Sequence, residues 1–147
     1  MDQKSINALL ALEKEFLENK IIFPPQGKAI RLDVRSTDGQ ENFIVDVNRK
    51  YMLLERYTYQ ERYISSDVLV RVDVVENRIH RNPDNEIIVG PHVHIWREGY
   101  GIKWAYNIEK FYGMFRNTSD ILEIFEDFCS FCNITNFPMI LSQEKNI

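Results

Sequence analysis

A chain of 147 residues with 44% hydrophobic and 27% charged side chains is sized for one globular domain and is too apolar for global disorder. Its formal net charge of −4 excludes the overall basic excess of duplex-binding modules, so any nucleic acid would have to meet a local basic patch. No apolar run nears the ~20 residues of a membrane span. The short run 8–12 is interrupted by Glu13-Lys14-Glu15, which gives no signal-peptide pattern, and two cysteines without an export signal fit free thiols in the cytoplasm.

In chain order, residues 3–19 carry Ile6, Leu9, Leu10, Phe16 and Leu17 at helical spacing, which predicts an amphipathic helix ended by Pro24-Pro25 and Gly27. From Lys28 the period becomes two. Ile30, Leu32 and Val34 alternate with Arg31, Asp33 and Arg35, and Thr37-Asp38-Gly39-Gln40 signals a hairpin into a return strand with Phe43, Val45 and Val47 inward. A third strand is expected over 51–59 and a fourth over 68–75, where Val68, Val70, Val72 and Val74 share a face with Arg71 and Asp73 opposite. Residues 77–85 read as a polar loop with His80 in solvent. Strands at 92–98 and 102–108 follow, joined by Gly99-Tyr100-Gly101. Asp120 is set to cap a second helix that lines up Ile121, Ile124, Phe125, Phe128 and Cys132. The order implies a single α+β domain over 1–140, with one antiparallel, meander-like sheet of about six strands packed by an N-terminal and a C-terminal helix; 141–147 read as a flexible tail.

Reactive side chains concentrate in 92–98. Alternation puts His92, His94, Trp96 and Glu98 on an open face, with Val93 and Ile95 to the core and the histidines ~7 Å apart along the strand. Arg71 and Asp73 join that face if their strand is the neighbour. Three readings follow. In the first, two imidazoles and an arginine cleave RNA without metal: one histidine takes the 2′-hydroxyl proton, the other protonates the leaving oxygen, and the guanidinium steadies the phosphorane. In the second, His92-x-His94 chelates an ion with Asp73, Glu98 or His80 as third ligand. In the third, the side chains only decorate a surface. Residues 56–63 interleave Arg56 and Arg62 with Tyr57, Tyr59 and Tyr63, a pattern that suits either base stacking with phosphate contacts or an ordinary twisted strand. Cys129-x-x-Cys132 falls late in a helix, where buried small apolar residues are expected rather than a redox pair.

The combination Phe43-x-x-Asp46-x-Asn48-Arg49, Tyr59-Gln60-x-Arg62-Tyr63, Leu69-Val70-Arg71-Val72-Asp73, His80-x-Asn82-Pro83-Asp84, Pro91-His92-x-His94-x-x-x-Glu98-Gly99 and Trp104-Ala105 resembles a bacterial and prophage family of unknown function, from Leu9 to about Ile134. A looser similarity runs to the TumE-like toxins of toxin–antitoxin pairs. These share an Arg-x-Asp strand, a polar loop and a histidine cluster, although the histidines here are two apart. That similarity implies a cytoplasmic toxin-like protein acting on RNA. The leading expectation is a metal-free, cofactor-free endoribonuclease. His92, His94, Arg71, Asp73 and Glu98 would carry the chemistry; Tyr59, Arg62, Trp96, Arg97 and Lys103 would hold substrate. An antitoxin would be the protein partner of such a toxin; the rival is a non-catalytic protein, an inhibitor of a host-defence protein or an antitoxin-like partner, whose Tyr57, Tyr59, Trp96, Arg97 and Tyr100 form the interface. Neither reading fixes the oligomeric state.

Overall fold

The structure is a computed structural model and describes residues 1–51, 56–64, 66–111 and 113–142. Strands β3 (Ala29–Ser36), β4 (Asn42–Asn48), β5 (Tyr57–Tyr63) and β6 (Asp67–Val74) form an antiparallel meander. β1 (Lys14–Phe16) pairs with the free edge of β3; β9 (His92–Ile95) pairs with β6, and β10 (Ala105–Asn107) completes a seven-stranded sheet in which every pairing is antiparallel. Two small sheets flank it: β2 (Lys20–Phe23) with β11 (Met139–Ser142), and a hairpin of β7 (Ile79–Arg81) and β8 (Ile87–Val89). The fold is mixed α/β with two helices and an antiparallel main sheet of seven strands, roughly consistent with the expected α+β domain of about six strands. Among the described residues no helix is long and apolar enough to cross a membrane.

One face of the sheet makes the core. Alternation turns Leu32, Val34, Val45, Val47, Tyr59, Val70, Val72 and Val93 toward helices α1 (Gln3–Ala11) and α2 (Ile121–Phe131), which supply Ile6, Leu9, Ile124, Phe125 and Phe128. Phe125 is the hub, with ring centroids 5.2 Å from Tyr59, 5.8 Å from Phe23 and 6.4 Å from Phe16. α2 starts where the spacing predicts: the Asp120 carboxylate accepts from the backbone N–H groups of Leu122 and Glu123. Cys129 and Cys132 are buried free thiols, and burial pushes both well above the ordinary thiol range.

The N-terminal helix is shorter than its apolar spacing predicts, ending at Ala11 instead of running to 19. Lys14 explains the break. Its ammonium is buried and donates to the carbonyls of Leu10, Leu12 and Cys132, which leaves the backbone of 14–16 to pair with Val34–Ser36. Sheet pairing and ammonium capping together override helical periodicity there. The third strand lies later than expected, at 57–63, and 52–55 of the expected span lie outside the described residues. The expected strands at 92–98 and 102–108 contract to 92–95 and 105–107, and the expected polar loop 77–85 contributes β7. Of the expected tail, Leu141 and Ser142 belong to β11, while 143–147 lie outside the described residues.

The other face of the sheet is polar and positions the site. Cross-strand register sets Arg31, Asp46, Gln60, Arg71, His94 and Ala105 in one row, and Ala29, Asn48, Thr58, Asp73, His92 and Asn107 in the next.

Candidate functional site

The register of β6 against β9 places Arg71 opposite His94 and Asp73 opposite His92. Each imidazole is fixed by a backbone carbonyl. His92 Nδ1 donates to Gly90 at 2.8 Å and His94 Nδ1 donates to Ile102 at 2.7 Å, because a carbonyl can only accept. Both rings therefore present Nε2, and both Nε2 atoms lie 3.2 Å from the same oxygen, Asp73 Oδ2. Arg71 completes the group, with Nε 3.2 Å from Asp73 Oδ2 and Nη2 3.3 Å from His94 Nε2. The second carboxylate oxygen, Oδ1, accepts from Thr58 Oγ1 at 3.1 Å. With the Thr58 proton so committed, Tyr51 donates its hydroxyl to Thr58 at 3.1 Å and joins the network.

His80 is the third histidine of this centre. It stands on β7, half-buried, with its ring centroid 4.8 Å from His94 and 5.5 Å from His92. Its Nε2 donates to the carbonyl of Lys103 at 2.9 Å. Asn82 holds the hairpin in place: its buried amide donates to the Ala105 carbonyl and accepts from the Ala105 N–H. The expectation of a solvent-facing His80 is thus corrected. The polar residues of 77–85 fold over the histidine strand, and for the same reason the histidine face is covered: His92 is 5% and His94 2% exposed. Among the described residues, His80, His92 and His94 offer ring nitrogens that all lie within 4.8 Å of one another, close enough to share an ion.

Electrostatics follow from this burial. Burial alone raises the Asp73 carboxyl, but contacts from His92 and His94 and the Arg71 charge outweigh it and hold the group well below the usual carboxylate range. Burial pushes the His94 imidazole down, helped by Arg71 and opposed by Asp73. A two-histidine mechanism sets base and acid on opposite sides of the reacting atom. Here both imidazoles converge on one oxygen, so the three groups act as a single centre.

Beside the centre runs a groove of about 620 Å³, lined by Arg31, Lys50, Arg56, Arg62 and Arg71 against the carboxylates of Asp46 and Asp73. A smaller cavity of about 150 Å³ lies at the histidines, and Arg56, Arg71 and Asp73 line both. Asp46 is held by Gln60 and by two bonds from Arg62 at 2.6 and 2.9 Å. Arg56 lies over the Tyr51 ring, 4.0 Å from its centroid.

The remaining expected site residues are placed elsewhere. Tyr59 points into the core, fully buried, and its hydroxyl donates to the Ile121 carbonyl at 2.6 Å, which removes it from any substrate. The strand ends at Ile95, so alternation stops before Trp96, which packs against the core, and before Glu98, which bonds Gln3 of α1. Arg97 lies over the Trp104 ring, 4.3 Å from its centroid. Lys103 contributes its carbonyl to His80. Sequence reasoning offered His80 only as a possible third ligand and missed Asn82, which follows β7 directly and anchors the hairpin that carries His80.

Comparison with curated proteins and with solved structures finds no match. Residues 1–134 match the model of DUF6978, a family of unknown function, and the chain belongs to that family.

Proposed function

We propose that this chain is a phosphodiester-cleaving enzyme with single-stranded RNA as its substrate class. One observation carries the reading: a groove lined by five cationic side chains, in a chain of net charge −4, opens onto a buried imidazole–carboxylate–guanidinium centre. Arg31, Lys50 and Arg56 suit backbone phosphates, and Tyr51 with Arg56 against its ring offers a flat surface for a base. Arg71 joins groove and centre and is set to donate to a phosphate whose ester bond is attacked. Asp73 with the imidazoles around it is the proton-handling unit for the attacking hydroxyl. The setting that goes with this reading is growth inhibition held in check by an antitoxin, as the loose resemblance of the sequence to TumE-like toxins implies.

The test is incubation of the purified chain with end-labelled single-stranded RNA. Cleavage is expected, and Arg31→Ala with Arg56→Ala is expected to lower kcat/KM by roughly 10- to 100-fold, the scale of losing charge-assisted contacts. Unchanged kcat/KM in a folded double variant excludes the groove.

A second reading has its own observation. Arg97, Tyr100 and Trp104 form an arginine–aromatic cluster with Tyr100 43% exposed, the composition of interface hot spots. An antitoxin or host-defence protein is the class of partner it suits. Partner binding by a wild type that leaves RNA whole, lost in Arg97→Ala with Tyr100→Ala, supports it.

A further inference from the structure

We infer that His80, His92, His94 and Asp73 form a binding site for one divalent transition-metal ion of the zinc class. The argument begins with lone pairs. Each histidine donates one ring N–H to a backbone carbonyl, at Lys103, Gly90 and Ile102. A neutral ring then has a bare lone pair on its other nitrogen. For His92 and His94 that nitrogen faces Asp73 Oδ2, an acceptor, at 3.2 Å. Arg71 Nη2 stands 3.3 Å from His94 Nε2 and can donate to it, so it is the facing acceptors His92 Nε2 and Asp73 Oδ2 that call for a cation between them.

Three features say that a metal ion suits the place. Imidazoles that bind metals fix their second nitrogen on a carbonyl or carboxylate, and all three here do so. Ion–ligand bonds of roughly 2.1 Å in a tetrahedron imply ligand separations of about 3.4 Å, close to the two Asp73–imidazole distances. Three neutral nitrogens and one carboxylate form the donor set preferred by zinc-class ions over calcium or magnesium. The widest histidine separation, 4.8 Å, has to close by roughly 1.5 Å. That closure has to come from the short hairpin bearing His80, with the ring–carbonyl bonds kept. Arg71 Nη2, now 3.3 Å from His94 Nε2, has to turn toward the groove it already lines.

Binding of the ion is independent of the phosphodiester reading; only its use rests on that reading. There it would activate a bound water or hydroxyl and polarise a phosphate oxygen, and the imidazoles would be ligands.

The experiment uses the full chain, stripped with chelator and titrated with Zn²⁺ by calorimetry, with Co²⁺ as a spectroscopic probe. One equivalent is expected per chain, with visible Co²⁺ bands of a four-coordinate site. His80→Ala is expected to weaken Zn²⁺ binding by roughly 100-fold and to alter the Co²⁺ spectrum, and Asn82→Ala to weaken it by roughly tenfold through the hairpin. Circular dichroism checks that each variant folds. No Zn²⁺ binding by the folded wild type overturns the site, as does equal affinity in a folded His80→Ala variant. Should His80→Ala not fold, His80→Gln replaces it. Metal bound without RNA cleavage sinks the phosphodiester reading alone; RNA cleaved by a chain that binds no metal sinks the metal site alone.

Discussion

Asp73 Oδ1 accepts from Thr58, and Oδ2 accepts from Arg71 and lies 3.2 Å from Nε2 of both His92 and His94. Asp73→Asn keeps the shape but turns an acceptor into a donor on one side, removing the charge that both imidazoles face. The expected result is RNA cleavage reduced at least about 100-fold with the circular dichroism spectrum unchanged. Arg71, Asp73, His92 and His94 were legible as one group because strict alternation on two β-rich segments puts them on a common face. His80 was named only as one possible third ligand and was placed in solvent, since it sits among Asn, Arg and Asp residues whose composition reads as loop. Glu61 was also hidden. It lies on the core face of β5, fully buried, 3.9 Å from Lys14 Nζ, whose own hydrogen bonds go to three carbonyls. Burial raises its carboxyl from an ordinary 4.5 to about 7, against the opposing pull of Lys14 and the Cys132 thiol. The folded state therefore keeps a proton that the unfolded chain releases, and the stability from this group is lost as pH rises from 4.5 to about 7. Glu61→Gln is expected to flatten that part of the profile in urea titrations; an unchanged slope contradicts the assignment.

At the scale of elements, the β7–β8 hairpin does the most for its size. Three-residue strands are too short to persist alone, so Asn82 and its two bonds to Ala105 anchor them to the main sheet. Asn82→Ala leaves a buried N–H and C=O unpartnered and should cost roughly 2 kcal/mol in chemical denaturation. On the core side, Phe125→Ala opens a cavity against Tyr59, Phe23 and Phe16 and should cost about 3–5 kcal/mol. β3, β4, β6 and α2 were legible from period and from the Asp38-Gly39 and Asp120 signals, which are local, whereas β5 was read several residues too early. β1 and β11 were not legible, because both are held by partners distant in sequence: Lys14 bridges to Ile134, and β11 lies parallel to β2. A local pattern has no access to such pairings.

At the scale of the molecule, the charge distribution is the main functional signal. An acidic chain gathers Arg31, Lys50 and Arg56 on one groove, beside two arginines paired with carboxylates. If those three neutralise phosphates of a single strand, the logarithm of the RNA binding constant should fall with the logarithm of salt with a slope of about −2. Fluorescence anisotropy between 50 and 200 mM salt, roughly the range over which such effects are read, checks this, and a flat profile excludes phosphate contacts in the groove. The most direct measurement is cleavage of labelled single-stranded RNA by the purified chain, with and without added Zn²⁺, beside a His92→Gln with His94→Gln variant shown to be folded. The expected result is fragmentation by the wild type and intact RNA with the variant. RNA left whole by the wild type in both conditions, or cut equally by both proteins, would contradict the account.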